Sequence, residues 1–363
     1  MLRIWMGRAN TGKSRRVLEE IRDNGREAML LVPEHASPGS ELDLCQVCGP
    51  AASRYAEVLS FRQLASRVLE RTGHLADGAL DAGGKLLLMQ LALREASSQL
   101  TVYVRPSRRA PFLQELVALC SELTACRVRP EDLGEAAPLL DGMSGEKARD
   151  VALIYAAYLS WLHRDGEDRR DRMEQLLDHL EESGYAAGKD VYLDGFTYFT
   201  AQELKLIEIL LRTARSVTVT LLGDGSGWEI FRQSFLARER LERLAAGCGV
   251  PCETETMPAA EPETALEHLA ECFFGPIRPW RGDCSGVELV KAESMFTEVE
   301  YVAAKILELV RSGRCRFRDI AVAARNLDDY AATIENVFER YGVPVYLSRR
   351  SDVLEKPVLS LLA

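Results

Sequence analysis

LRIWMGRANTGKSRRVLEEIRDNGREAMLLVP, residues 2–33, decides how the rest of the chain is read. Leu2 to Met6 is a short apolar run, the composition of a buried strand. Gly7 opens a loop. From Ser14 the period changes: Val17, Leu18 and Ile21 fall on one helical face, and Gly25 ends the helix. Glu27 to Val32 then reads as a second strand, stopped by Pro33. Strand, loop, helix and strand make one βαβ unit, the usual start of a parallel α/β sheet.

The loop itself is Gly7-Arg8-Ala9-Asn10-Thr11-Gly12-Lys13-Ser14. It fits G-x-x-x-x-G-K-S/T at every fixed position, with a strand before it and a helix after it. Such a loop curls so that several backbone N–H groups point at one anion, and the helix N-terminus adds its positive end. The expected ligand is ATP with Mg2+. Lys13 would reach the β and γ phosphates, and Ser14 would hold the metal ion. Asn10 stands where glycine is often found, but Asn tolerates positive φ better than most residues.

Phosphate binding is not hydrolysis. In VYLDGFTYFTAQE (Val191–Glu203) the strand Val191-Tyr192-Leu193 ends at Asp194, a second expected ligand of the metal. Hydrolysing enzymes of this class carry a glutamate next, to take a proton from water. Here the next residue is Gly195. A positioned general base contributes about 10²–10⁴-fold to rate. The expectation is therefore ATP binding with weak or absent hydrolysis. Two other readings stay open on residues alone. One is a working motor completed by another carboxylate, such as Glu203; the other is an assembly scaffold with a relic loop.

The remaining chain is organised around this unit. Its 363 residues, 47% hydrophobic, suffice for two or three domains. A pI of about 5.3 and a net charge of -10 argue against a general nucleic-acid coat protein, and leave room for a local basic groove. No apolar run reaches the roughly 20 residues of a membrane span, and the N-terminus has no secretory pattern, so a cytoplasmic protein is expected. Nine cysteines include only one CxxC pair, Cys45 and Cys48, which reads as reduced thiols rather than a metal site. Glu57 to Ser60 reads as a strand and Phe61 to Thr72 as a helix. Residues 77–183 are helical in period. Strands return at Val191–Leu193 and Val217–Leu222, flanking a helix from Gln202 to Leu211. ETETMPAAEPET (253–264) reads as an acidic linker. A further α/β pattern follows, with strands at Val287–Lys291, Ile320–Ala324 and Val343–Leu347 and helices at Glu298–Arg311 and Leu327–Tyr341. The chain ends on SLLA without a helix stop, the mark of a piece of a longer protein.

The order of these motifs resembles a superfamily 1, UvrD-type helicase. LLVPEHAS (Leu30–Ser37) stands in the place of its first DNA-contacting motif. VLSFRQLASRVL (Val58–Leu69) stands for the TFHxxA-type motif, LDGFTYFTAQE for the DExx box, and VTVTLLGDGSG (Val217–Gly227) for GDxxQ. Gly223 and Asp224 are kept there, and Gly227 replaces the glutamine. DIAVAARNLDDYAATIENVFERYGVPVYLS (Asp319–Ser348) is similar to the motif opening a second RecA-like domain. Arg325 matches its arginine directed toward the γ-phosphate. Within that superfamily the pattern is similar to the AddB subunits of bacterial AddAB helicase–nucleases, which run GxxGTGKS, LLVPEQxTF, SFxRLAxRVL and DGFxxFTPQE. The DGF form of the box separates that family from active helicases.

The resemblance implies an α/β P-loop NTPase fold. Residues 1–75 and 187–275 would form the first RecA-like domain, 76–186 a helical insertion, and 286–363 the start of a second RecA-like domain. It implies a part in processing DNA double-strand breaks, as a heterodimer with an AddA-type motor subunit. The partners would include double-stranded and single-stranded DNA, the latter scanned for the Chi signal. A C-terminal nuclease with an iron–sulfur cluster would lie beyond Ala363, so no cutting is expected of these residues. DNA contacts are expected from His35, Ser37, Phe61, Arg62 and Gln63, at strand-to-helix junctions on one side of the sheet, with Phe61 as a base platform. His35, Ser37 and Gln63 depart from the family's Gln, Thr and Arg, so the sequence preference stays open. VRPSRRAP (Val104–Pro111) is a second, weaker candidate for phosphate contacts.

Overall fold

A computed structural model describes residues 1–74, 80–104, 110–163, 171–258, 261–273 and 275–347. Its centre is a six-stranded sheet of β1 (Leu2–Gly7), β2 (Ala28–Leu31), β3 (Ala56–Leu59), β4 (Asp190–Leu193), β5 (Ser216–Leu222) and β6 (Cys252–Thr256). The order is β3-β2-β4-β5-β1-β6, and every pairing is parallel. Gly7 lies opposite Leu222, and Leu31 opposite both Leu59 and Leu193. All six carboxyl ends therefore lie along one edge, where ligands of open α/β sheets collect.

The period-2 pattern builds a core on each face. Leu2, Ile4 and Met6 point into one, with Met29, Leu31, Val191 and Leu193. Trp5, Leu30, Val58 and Tyr192 point into the other. α1 (Lys13–Asn24) and α2 (Ser37–Cys48) bring Val17, Leu18, Ile21 and Leu44 to the second face. α3 (Phe61–Thr72) covers the first with Leu64, Ala65 and Val68. Its boundaries are those read from the sequence, set by a Ser60–Gln63 capping box and by Gly73 in the left-handed conformation.

Between β3 and β4 come α4 (Ala82–Ala96), α5 (Ala110–Ala125), α6 (Pro130–Ala136), α7 (Met143–Leu162) and α8 (Arg172–Ser183). α4, α5 and α7 pack on one another around Met89, Ala92, Cys120 and Ile154, a core separate from the sheet's. α8 instead places Leu176 and Leu180 in the sheet core beside α3. Asp150 of α7 is fully buried. Its carboxylate accepts the backbone N–H groups of Thr101, Val102 and Tyr103 at 2.8–3.1 Å. Then α9 (Ala201–Thr213) and α10 (Arg232–Gly247) return to the sheet.

The stretch read as an acidic linker is in part a strand. Residues 252–256 form β6, parallel to β1 and exposed along its length. Alternating Glu and Thr give it no apolar face to signal it, and charged side chains are what an edge strand tolerates.

Residues 1–262 and 272–277 form one compact unit; 263–271 and 278 onward form a second. α11 (Ala265–Cys272), α12 (Met295–Arg311) and α13 (Leu327–Tyr341) complete the helices. In the second unit α12 and α13 pack through Val299, Ala303, Ile306, Ile334, Val337 and Phe338. The three strands expected there, at 287–291, 320–324 and 343–347, carry no strand pairing among the described residues. Leu289 is 98% exposed. Strand composition without a paired neighbour does not make a strand.

Candidate functional site

β1 delivers the chain to Gly7, where the loop turns tightly. A Cβ on Gly7 would lie 2.4 Å from Thr11 Oγ1 and 3.3 Å from Met257 Cβ, so a side chain there would have to displace the Thr11 hydroxyl. Asn10 and Gly12 take left-handed φ values of 62° and 83°. Thr11 Oγ1 donates to Arg8 O at 2.9 Å. α1 starts at Lys13 with no side-chain cap and no acidic residue in its first turn, which leaves its N-terminal N–H groups to an anion. Lys13 Nζ folds over the loop and donates to Gly7 O at 2.7 Å and Arg8 O at 2.6 Å. Burial pushes the Lys13 ammonium below the usual lysine range, and the charge of Asp194 opposes that. Ala9, Asn10, Gly12 and Ser14 are exposed.

Arg8 reaches sideways. Its Nε donates to Asp224 Oδ2 at 2.7 Å, and its guanidinium carbon lies 4.9 Å from the ring centre of Trp228. Asp224 follows β5, and Gly223 N also donates to Gly7 O at 3.1 Å. The GD pair of VTVTLLGDGSG thus braces the loop. Burial works against the Asp224 charge, but hydrogen bonds from Ser226 and the Arg8 guanidinium hold its carboxyl below the usual range.

Asp194 stands at the end of β4, two strands from Gly7. Its backbone N–H donates to Leu31 O at 2.9 Å, and the Thr220 hydroxyl donates to its carboxylate. Gly195 has φ 83°, and a Cβ there would touch Pro33 Cδ at 3.4 Å. The position that lacks a glutamate is also a turn that strains any L side chain. Glu203 has another task. Its carboxylate accepts from Thr200 N at 2.8 Å and closes the capping box of α9. Arg325 lies in the second unit, exposed, beside the Asn326 cap of α13.

The other expected residues follow β2 and β3. His35 is exposed. Ser37 is buried at the first position of α2. Arg62 is exposed, with Nη1 3.4 Å from Glu34 Oε1. Gln63 Oε1 accepts from Ser60 N at 2.7 Å, so the residue caps α3. Phe61 corrects its expected role. It is only 8% exposed, and its ring packs on Phe196 at 5.0 Å, which packs on Phe199 at 5.4 Å. Stacking with a base needs an open ring face, and this one is covered. The exposed aromatic of the region is Tyr198, at 61%. The sequence held a signal for it: in FTYF, the two Phe side chains enter the core and the polar-tipped ring between them stays out. Residues 105–109 of the arginine-rich turn lie outside the described residues.

A family model described as ADDB, N-terminal, matches residues 4–270. The chain belongs to the AddB N-terminal family. The resemblance read from GRANTGKS, LLVPEHAS and DGFTYFTAQE is borne out. The chain is also similar to bacterial proteins whose names make each the B-type subunit of an ATP-dependent helicase/deoxyribonuclease. The one from Moorella thermoacetica is 33% identical over 387 residues, covering 99% of this chain and 34% of the relative. That from Desulforudis audaxviator is 34% identical over 383 residues, covering 99% and 33%. That from Pelotomaculum thermopropionicum is 33% identical, covering 99% and 33%. The AddB-family chain thus spans about a third of the length of these relatives. No helix among its described residues is long and apolar enough to cross a membrane.

Proposed function

We propose that these residues are the nucleotide-holding, strand-binding part of an AddB-type protein, folded as a P-loop NTPase and not itself a motor. Residues 7–14 would hold ATP, with Lys13 on the phosphates and Ser14 and Asp194 on Mg2+. The close approach of Thr11 to Gly7 and the uncapped start of α1 fit that ligand. Bound Mg2+ would neutralise phosphate charge. The observation that carries the non-motor reading is Gly195. A left-handed glycine follows Asp194, and Glu203 is engaged in a cap.

Single-stranded DNA would cross the carboxyl ends of β2, β3 and β4, over His35, Arg62 and Tyr198. Tyr198 supplies the stacking face and Arg62 a phosphate contact. The residue-range division into a first RecA-like domain, an inserted helical domain and the start of a second belongs to the same reading. The relatives' names, and the two thirds of their length outside this chain, support a larger enzyme. In it an AddA-type partner would drive translocation in the cytoplasm, and a C-terminal nuclease with its iron–sulfur cluster would cut. Scanning for Chi would fall to the strand face.

Fluorescence anisotropy with labelled oligo(dT), alongside equilibrium titration with ATP–Mg2+, tests both faces. Tyr198→Ala and Arg62→Ala should weaken DNA binding and leave ATP binding unchanged. Lys13→Ala should do the reverse. Loss of neither ligand in any variant contradicts the proposal.

A further inference from the structure

The phosphate loop carries a charge that its general pattern does not require. Arg8 stands at a variable position of G-x-x-x-x-G-K-S/T, yet its side chain is mostly buried. Its Nε lies 2.7 Å and its Nη2 2.6 Å from the same oxygen, Oδ2 of Asp224. The other oxygen of Asp224 accepts from Ser226 N at 2.8 Å. The Arg8 backbone carbonyl faces into the loop, where it accepts from Lys13 Nζ at 2.6 Å and from Thr11 Oγ1 at 2.9 Å. Lys13 is the residue that would meet the β and γ phosphates. Arg8 therefore starts beside the ammonium that would meet the terminal phosphate.

Trp228 lies against Arg8, with the guanidinium carbon 4.9 Å from its ring centre. The six-membered edge of the same indole meets Gly275. A Cβ there would lie 2.3 Å from Trp228 Cη2 and 2.7 Å from Cζ2, so a side chain would have to push the indole away. Gly275 N donates to Cys272 O at 3.2 Å, which turns the chain under the ring. Residues 272–277 are a short piece of the first unit that lies, in sequence, between two stretches of the second. Loop, arginine, indole and this piece form one continuous series of contacts within the first unit.

We propose that Arg8 distinguishes ATP from ADP. With ADP bound it stays on Asp224. With ATP bound it turns its donors to the γ-phosphate, and Trp228, without its cation, shifts against Gly275. The inference rests on the ATP site proposed above. Guanidinium donors form a planar fork that fits carboxylate and phosphate alike. The γ-phosphate carries more charge than a carboxylate and, uncompensated, would repel Asp224. When Arg8 leaves, Asp224 keeps the Ser226 N–H, so the exchange strands no buried carboxylate. Occupancy alone then resets Trp228, which suits a site with glycine at residue 195 and no general base beside Asp194.

The test compares the full chain with its Arg8→Gln, Asp224→Asn, Trp228→Phe and Lys13→Ala variants. Isothermal titration calorimetry with ATP–Mg2+ and ADP–Mg2+ gives the preference between them. Acrylamide quenching of tryptophan emission reads the indole, and its difference from Trp228→Phe assigns the signal. The native chain should prefer ATP. Arg8→Gln should lower that preference by about tenfold, the loss of a charge-assisted contact, and leave ADP affinity within about threefold. Asp224→Asn, which frees the guanidinium from its carboxylate, should raise the preference. ATP but not ADP should change the quenching of the native chain, and neither should change that of Trp228→Phe or Arg8→Gln. A pair that only braces the loop would give another pattern, with both variants weakening ATP and ADP alike. That pattern, or quenching that ignores ATP while ATP binds, would overturn the proposal and leave the ATP site standing. A native chain that binds neither nucleotide, or binding that survives Lys13→Ala, would overturn the reading of residues 7–14 and this inference with it.

Discussion

Arg8 of the phosphate loop and Asp224 after β5 are joined by two short contacts, Nε to Oδ2 at 2.7 Å and Nη2 to Oδ2 at 2.6 Å, with Trp228 against the guanidinium. Both side chains are mostly buried. The loop is therefore anchored through its own variable position to the neighbouring strand, and its curvature does not rest on glycine alone. A double-mutant cycle of Arg8→Ala and Asp224→Ala, followed by urea unfolding, should give a coupling of about 1–3 kcal/mol. Additive losses would mean the pair does not brace the loop.

At Gly195 the chain should resist the residue that an active enzyme carries. Gly195→Ala should lower stability by about 1 kcal/mol or more, because alanine at positive φ is strained. Gly195→Glu should be strained in the same way and should not gain ATP turnover. Unchanged unfolding midpoints for the alanine variant would remove the conformational argument.

Phe61 and Tyr198 should separate cleanly. Phe61→Ala empties part of the core and should cost about 3–5 kcal/mol. Tyr198→Ala should change stability by less than about 0.5 kcal/mol, as an exposed substitution. Its effect should appear in oligo(dT) affinity, at about 1–3 kcal/mol for one lost stacking contact. A Tyr198→Ala chain with native affinity would return the strand-contact role to other residues.

Asp150 makes stability depend on pH. Burial disfavours its charge, but the N–H groups of Thr101, Tyr103 and Val102 bind it and hold its carboxyl below the usual range. A lowered folded value means a contribution fully present above the unfolded carboxylate value of about 3.9 and lost as pH falls through the folded value. Asp150→Asn should cost about 1–3 kcal/mol near neutrality, because an amide N–H2 faces backbone donors. It should also flatten the acid limb of the stability profile. An acid limb unchanged by Asp150→Asn would show that other carboxylates set it.

The sheet was legible wherever apolar runs met turn residues. Leu2–Met6, apart from Arg3, and Val217–Leu221 are buried on both faces, and Ser60 and Thr200 mark helix starts with their capping partners. β6 was hidden because an edge strand is selected for charge rather than burial. The segments 287–291 and 320–324 misled for the opposite reason: they have strand composition, but a strand is completed by its neighbours. At the site, Gly7, Lys13 and Asp194 were legible because a motif fixes their places on β1, α1 and β4. Phe61 was not, since its covering partner Phe196 lies 135 residues away (196 − 61) and burial of one ring by another is a tertiary fact. Gln63 and Glu203 look like free polar side chains in sequence and are helix caps in the fold.

The most direct test of the account is phosphate release measured beside ATP–Mg2+ binding, with saturating single-stranded DNA, for the native chain and for Lys13→Ala. The prediction is saturable binding that Lys13→Ala abolishes, and release from the native chain no faster than from the variant. Release that depends on Lys13 and rises with DNA would contradict it, and would show that a base other than residue 195 serves this site.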